Sequence, residues 1–271
     1  MSGPRWSLVF LALFATDSRA QTVLLELRPR AGDTLRMRLD QTTEMTGARR
    51  GAKSMQVTTT LRMFSRAIVE QRMPTATRIL AITDSVDMTT SDAHAQAIVD
   101  QAEAQLEGRQ IRLRLWPNGT VSLSDEPQDV PREVSDLVAV MPASFPKEPV
   151  SVGDTWVREM PIPAGARFGI PLGGVVRSTF RLDSVSRGGE YAYVSMRGTL
   201  HANPPVATDP ETLGGSVNGS MVIDRLRGWL RETRFLIQMR TSVPSQSGAR
   251  GSPTRFVMKI TQHMRVFDKR P

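Results

Sequence analysis

The chain has 271 residues, 39% of them hydrophobic, a formal net charge of +8 and no cysteine. That apolar content fills a core and excludes intrinsic disorder. The missing cysteine excludes a disulfide framework, thiolate zinc sites, iron–sulfur clusters, a cysteine nucleophile and a lipid-modified cysteine anchor. Only Lys53, Lys147, Lys259 and Lys269 are lysines among 35 basic residues. The arginines fall singly along the chain (Arg36, Arg38, Arg62, Arg112, Arg114, Arg177, Arg181) and not in a dense run with interleaved aromatics. They read as a solvated arginine-rich face, with an anion-binding patch as the alternative, and nucleic acid is not an expected partner.

Residues 1–20 read as a signal peptide. Arg5 supplies the positive start, Trp6–Ala15 (WSLVFLALFA) an apolar run too short to span a bilayer, and Ser18 and Ala20 the small residues before a cut at Ala20/Gln21. The expected location is the periplasm or the extracellular space, and no transmembrane segment follows. The remaining residues 21–271 read as one β-rich domain, built from two duplicated meander halves at about 22–141 and 150–268 within one sheet.

Alternation with period two dominates the mature chain. Leu35, Met37 and Leu39 alternate with Arg36, Arg38 and Asp40. Next comes a helix over Ser91–Glu107, with Ser91 or Asp92 as N-cap and Gly108 as its stop. Its apolar face, Ile98, Val99, Ala102 and Leu106, is expected to be buried against the sheet, leaving Asp100, Gln101, Glu103 and Glu107 wet. Ile111, Leu113 and Leu115 form a strand that turns at Trp116-Pro117-Asn118-Gly119. Both Asn118-Gly119 and Asn218-Gly219 are expected to be type I′ hairpin turns. Pro131–Met141 is a second, shorter helix candidate, and Pro142–Pro149 marks the junction between halves.

In the second half, Val176–Asp183 and Tyr191–Leu200 flank a turn at Arg187–Glu190, and Gly214–Gly219 reads as a turn. Ser220–Asp224, Trp229–Met239 and Thr254–Phe267 are further strands. Pro161–Gly174, Ala202–Gly215 and Pro244–Pro253 read as long loops. The total is about ten strands, each with one apolar and one charged face, as in an antiparallel sheet wet on one side. Gly32-Asp33-Thr34-Leu35 recurs as Gly153-Asp154-Thr155-Trp156, and Thr60–Met63 as Thr179–Leu182.

The run Phe145-Pro146-Lys147-Glu148-Pro149-Val150-Ser151-Val152-Gly153-Asp154-Thr155-Trp156 resembles a signature of poorly characterised exported bacterial β-proteins that carry an "LP-x-x-PV-x-VGDTW" segment. The resemblance implies an incomplete β-barrel with a helix against its concave side, similar to the lipoprotein-carrier (LolA/LppX-like) folds that carry acyl chains between membranes. It transfers no catalytic residue.

No catalytic constellation stands out. His94, His201 and His263 lack metal-ligand spacing, no Gly-x-Ser-x-Gly elbow occurs, and Asp33 and Asp154 read as turn caps bonding backbone amides rather than as a carboxylate pair. A cofactor is not expected. Methionine is the anomaly: Met37, Met63, Met88, Met196, Met221, Met239, Met258 and Met264 all fall in predicted strands, where thioethers either fill the core or form a surface that moulds to apolar ligands. The fold class expected is mainly β, a large curved antiparallel sheet or half-open barrel with one long and one short helix. The function expected is non-enzymatic binding or carriage of an apolar or amphipathic ligand, with lipid as one class. The candidate lining is Leu39, Met63, Phe180, Met196, Phe235 and Met258, and Phe168, Ile170 and Leu172 are candidates for a covering loop. The alternative is an envelope scaffold that binds another protein and has a filled core. Intact-mass measurement of exported protein is expected to find Gln21 at its N-terminus; a chain still carrying Met1 would contradict the signal-peptide reading.

Overall fold

The computed structural model describes residues 22–49, 54–124, 130, 144–162, 174–202, 213–243 and 254–267. The expected helix at Pro131–Met141 and the loop residues Phe168, Ile170 and Leu172 lie outside them. The protein is mainly β. Its strands are β1 (Thr34–Arg49), β2 (Met55–Arg72), β3 (Thr77–Thr90), β4 (Gln110–Leu115), β5 (Val121–Leu123), β6 (Thr155–Ile162), β7 (Gly174–Val185), β8 (Tyr191–Ala202), β9 (Leu213–Asp224), β10 (Trp229–Val243) and β11 (Thr254–Phe267). They form one antiparallel 11-stranded sheet in the order β5-β4-β3-β2-β1-β11-β10-β9-β8-β7-β6. Each half is a meander, and β1 pairs with β11 to join them. The sheet is not closed, because β5 and β6 are its two edges.

The sheet nevertheless curls. Leu27 N–H donates to the Pro117 carbonyl in the β4–β5 turn, and the next residue, Arg28, donates to the Gly228 carbonyl in the β9–β10 turn, both at 2.8 Å. In a flat sheet those turns would lie six strand spacings apart, about 29 Å, whereas successive residues are ~3.8 Å apart. The two edges are tied through the junction. Phe145 N–H donates to the Asn118 carbonyl at 3.0 Å, while the Trp156 indole of β6 donates to the Ser144 carbonyl at 2.8 Å. Thr22–Arg30 crosses this lower end in extended form, with Val23, Leu25, Leu27 and Pro29 buried and Leu24 and Arg28 exposed. The core lies inside the curl: Leu35, Ala67, Ile79 and Leu115 from one half meet Phe145, Trp156, Phe180, Leu182, Val194 and Ile223 from the other.

Both Gly-Asp-Thr segments use the same turn. Gly32 and Gly153 have φ of 87° and 96°, a conformation that costs glycine little. The Asp33 carboxylate accepts from Arg30 N–H and that of Asp154 from Ser151 N–H. Gly32 N–H donates to Val69 and Gly153 N–H to Leu182, and those residues return bonds to the Asp33 and Asp154 carbonyls. Val69 therefore corresponds to Leu182, which removes the equivalence expected between Thr60–Met63 and Thr179–Leu182.

Two turn expectations also fail. At Asn118-Gly119 only the glycine has positive φ, 88°, and Gly119 N–H bonds to the Trp116 carbonyl. This is a type I turn followed by a glycine bulge, not type I′. Asn218-Gly219, together with all of Gly214–Gly219, lies inside β9. Gly219 sits there because the Phe235 ring of the neighbouring strand occupies the space a Cβ would need. The sequence alternation that sets β9's inward face passes through these glycines unmarked by any side chain.

The helix is a 3₁₀ turn at Ala93–Ala95 continuing into α1 (Gln96–Leu106), with the Asp92 carboxylate capping His94 N–H. Its packing differs from expectation. Val99 is its buried residue, Ala102 and Leu106 are half-buried, and Ile98 is 70% exposed. Glu103, expected wet, accepts a hydrogen bond from Met88 N–H at 3.0 Å. The cause is strand length: β4 pairs β3 only as far as Ile82, so the upper edge of β3 is left without a strand partner. There α1 seals an edge rather than covering a face, and one apolar contact with one carboxylate suffices. No helix of the described residues is long and apolar enough to cross a membrane.

Trp156 is 8% exposed, stacks on Phe180 with ring centroids 5.7 Å apart, and bonds Ser144. Trp156→Ala is therefore expected to lower stability by ~3–5 kcal/mol in urea unfolding. A loss below about 1 kcal/mol would mean that the edge junction does not hold the curl.

Candidate functional site

Paired residues in an antiparallel ladder point to the same face, so the register defines the inner wall. One inward row runs Val86, Met63, Leu39, Met264, Thr233, Met221, Val194, Leu182. The row above it runs Met88, Leu61, Gln41, Gln262, Phe235, Gly219, Met196, Phe180, Trp156. Two rows higher, Val57, Met45, Met258 and Met239 follow one another. Leu39, Met63, Phe180, Met196, Phe235 and Met258 thus share one face, and so do all eight methionines singled out in the sequence.

They do not share one environment. Phe180 and Met196 are 5% and 8% exposed: they are core, with Phe180 under Trp156. Met221 and Met239 are buried as well. Phe235 and Met258 are half-buried and pack against that core. Leu39 and Met63, on the β1–β2 side, are half-buried and lie outside the core cluster. The division runs across the sheet: the inner faces of β7, β8 and β9 are largely covered, whereas the upper inner faces of β1, β2, β3 and β11 are open. Met45, Leu61, Met88, Ile260 and Met264, which the candidate lining omits, belong to that open wall. Met88 and Met264 carried a usable signal as strand methionines; the rest needed the register.

The polar groups of the open wall are uncharged: Gln41, Thr43, Thr59 and Gln262, with Gln41 Nε2 donating to Thr43 Oγ1. Arg158 of β6 faces inward, between Trp156 and Met160 and opposite Ser178; Arg72, at the end of β2, pairs inward-facing Thr77 but is exposed. Most other described strand charges face outward, and several of them pair. Asp40 takes Arg38 at 2.7 Å and Arg62 at 3.5 Å. Glu232 takes Arg234 at 2.7 Å and His263 at 2.6 Å, and Lys259 reaches Glu44 across the β1–β11 seam. Partial burial disfavours ionisation of Asp40 and Glu232, but the bonds from Arg38 and Arg62, and from His263 and Arg234, outweigh it and hold both carboxyls below their ordinary values.

Among the described residues no group of three or more His, Asp or Glu side chains converges to hold a metal ion. Ser144-Phe145-Pro146-Lys147 matches the Ser-x-x-Lys spacing of some serine nucleophiles, but the stretch is irregular, so the spacing does not set both side chains on one helical face. A cavity of about 350 Å³ lies at the lower end, lined by Arg30, Asp33, Thr34, Leu35, Leu226, Arg227 and Phe267; it involves none of the candidate lining.

No protein-family model matches the chain, and no curated protein does. Among solved structures it is similar to DynF from the dynemicin biosynthesis pathway of Micromonospora chersina, at 9% identity and a TM-score of 0.20, covering 92% of this chain and 86% of that one. It is also similar to an outer membrane channel from Pseudomonas putida F1, at 9% identity and a TM-score of 0.23, covering 89% of this chain and 97% of that one. Likeness at this level bears on neither fold nor function.

Proposed function

We propose that the chain is an exported, non-enzymatic protein that binds or carries an apolar or amphipathic ligand along the open inner wall of β1, β2, β3 and β11. One observation carries the reading. Half of the inner face is closed by core packing, while the other half presents Leu39, Leu61, Met63, Met88 and Met258 half-buried. Methionine is the side chain best able to adapt such a wall to chains of varied shape, and an exposed apolar patch of this kind marks a binding surface in many soluble proteins. An acyl chain laid there gains about 0.8 kcal/mol per buried methylene, part of which offsets the cost of ordering it.

The buried inner face of β7–β9 supports a second reading, an envelope scaffold with a filled interior, since Phe180 and Met196 leave no room for a ligand beside them. The readings separate in a titration of delipidated protein with a fluorescent fatty acid. Saturable binding is expected for the natural protein, at least about tenfold weaker for Met63→Glu, because a carboxylate on the wall must be desolvated by the chain. Val157→Glu on the outer face, with the same charge change, is expected to bind as the natural protein does. No saturable binding to the natural protein would favour the scaffold.

A further inference from the structure

We infer that Arg158 receives the headgroup of an anionic single-chain amphiphile, an inference that rests on the ligand-binding reading above and specifies the chemistry of its ligand. The position is unusual within this molecule. Most described strand charges point outward, and Arg72, which also lies on the inward register, is exposed at the lower end of β2, so a half-buried arginine on the inner face is set apart from the solvated surface. Its inward placement is fixed by Trp156 and Met160 on either side along β6 and by Ser178 opposite, which is 6% exposed.

Arg158 is half-buried and its bonds are to neutral carbonyls: Nη1 donates to Val157 O at 2.9 Å and Nη2 to Phe145 O at 2.7 Å. No described carboxylate forms an ion pair with it, unlike Arg38, Arg66, Arg181 and Arg234, each of which holds an acidic partner. The two carbonyl bonds orient the guanidinium at the free edge of the sheet while leaving its charge without an acidic partner among the described residues. Guanidinium presents paired donors that match carboxylate or phosphate oxygens. An anion arriving at β6 would neutralise a partly desolvated cation, and the uncharged wall of β1–β3 is suited to the apolar remainder. Carboxylate and phosphate headgroups share this chemistry.

The test compares delipidated natural protein with Arg158→Lys and Arg158→Gln, each titrated with oleate, oleyl phosphate and oleyl alcohol. The natural protein is expected to bind at least one of the two anions about tenfold or more tightly than the alcohol, the size a charge-assisted hydrogen bond supplies, and the better anion identifies the headgroup. Arg158→Gln is expected to lose that preference with its affinity for oleyl alcohol unchanged within about twofold; Arg158→Lys is expected to retain part of it. Thermal melting of each variant guards against a simple loss of the Phe145 contact, and the lysine variant keeps the charge if the glutamine variant fails to fold. Equal binding of all three probes by the natural protein, or a preference that survives in Arg158→Gln, would overturn the role of Arg158 and leave the apolar wall standing. Absence of binding by any probe would overturn both.

Discussion

The carbonyls and amides of Ser144 and Phe145 hold the two edges of the sheet near one another, and the rest of the architecture depends on that tie. Eleven strands in a flat sheet would place β5 and β6 about 48 Å apart, ten strand spacings. Instead Phe145 N–H bonds the β4–β5 turn while the carbonyl of the residue before it takes the Trp156 indole of β6. Phe145 itself is 1% exposed, so the tie is made in a dry environment where a lost hydrogen bond is costly. The extended segment Thr22–Arg30 then crosses the curled lower end and buries alternate side chains in it. A long sheet with one apolar face has only two ways to remove that face from water, a second layer or its own curvature. This chain uses curvature.

Curvature alone covers the inner face unevenly. Around β7, β8 and β9, glycines at Gly198, Gly215 and Gly219 let the neighbouring strands and the Phe235 ring approach, and the inner side chains there are buried. Around the upper parts of β1, β2 and β3 the inward positions carry mainly methionine, leucine, threonine and glutamine, and they stay half open. The outward positions of the same strands carry the paired charges. Against that sorting, Arg158 is an inward-facing charge that is also half-buried, which makes that residue chemically distinct in a way its sequence neighbours do not show.

The strands were legible in the sequence because their code is local. Leu35, Met37 and Leu39 against Arg36, Arg38 and Asp40 announce a strand and its inner face at once, and the Gly-Asp-Thr turns announce where strands begin. What the sequence obscured depends on distant partners. Asn218-Gly219 has turn composition, yet its glycine answers to Phe235 on the adjacent strand. Ile98 falls on the apolar stripe of the helix but meets nothing, since α1 serves the unpaired edge of β3, whose existence follows from where β4 stops. The burial of Phe180 and Met196, as against the openness of Leu39 and Met63, follows from the curl, and the curl is set by contacts between residues with no local signal for them. The six strand residues of the candidate lining share one face of the sheet, and tertiary structure divides them between core and wall.

The inner methionines fall into a covered set and an open one. Peroxide oxidation followed by peptide mapping measures this directly, because a thioether reacts as readily as it is reached. Met45, Met63, Met88, Met258 and Met264 should oxidise well before Met196, Met221 and Met239, and a saturating fatty acid should slow the first set while leaving the second unchanged. Uniform rates across both sets, or early oxidation of Met196 and Met221, would contradict the open wall.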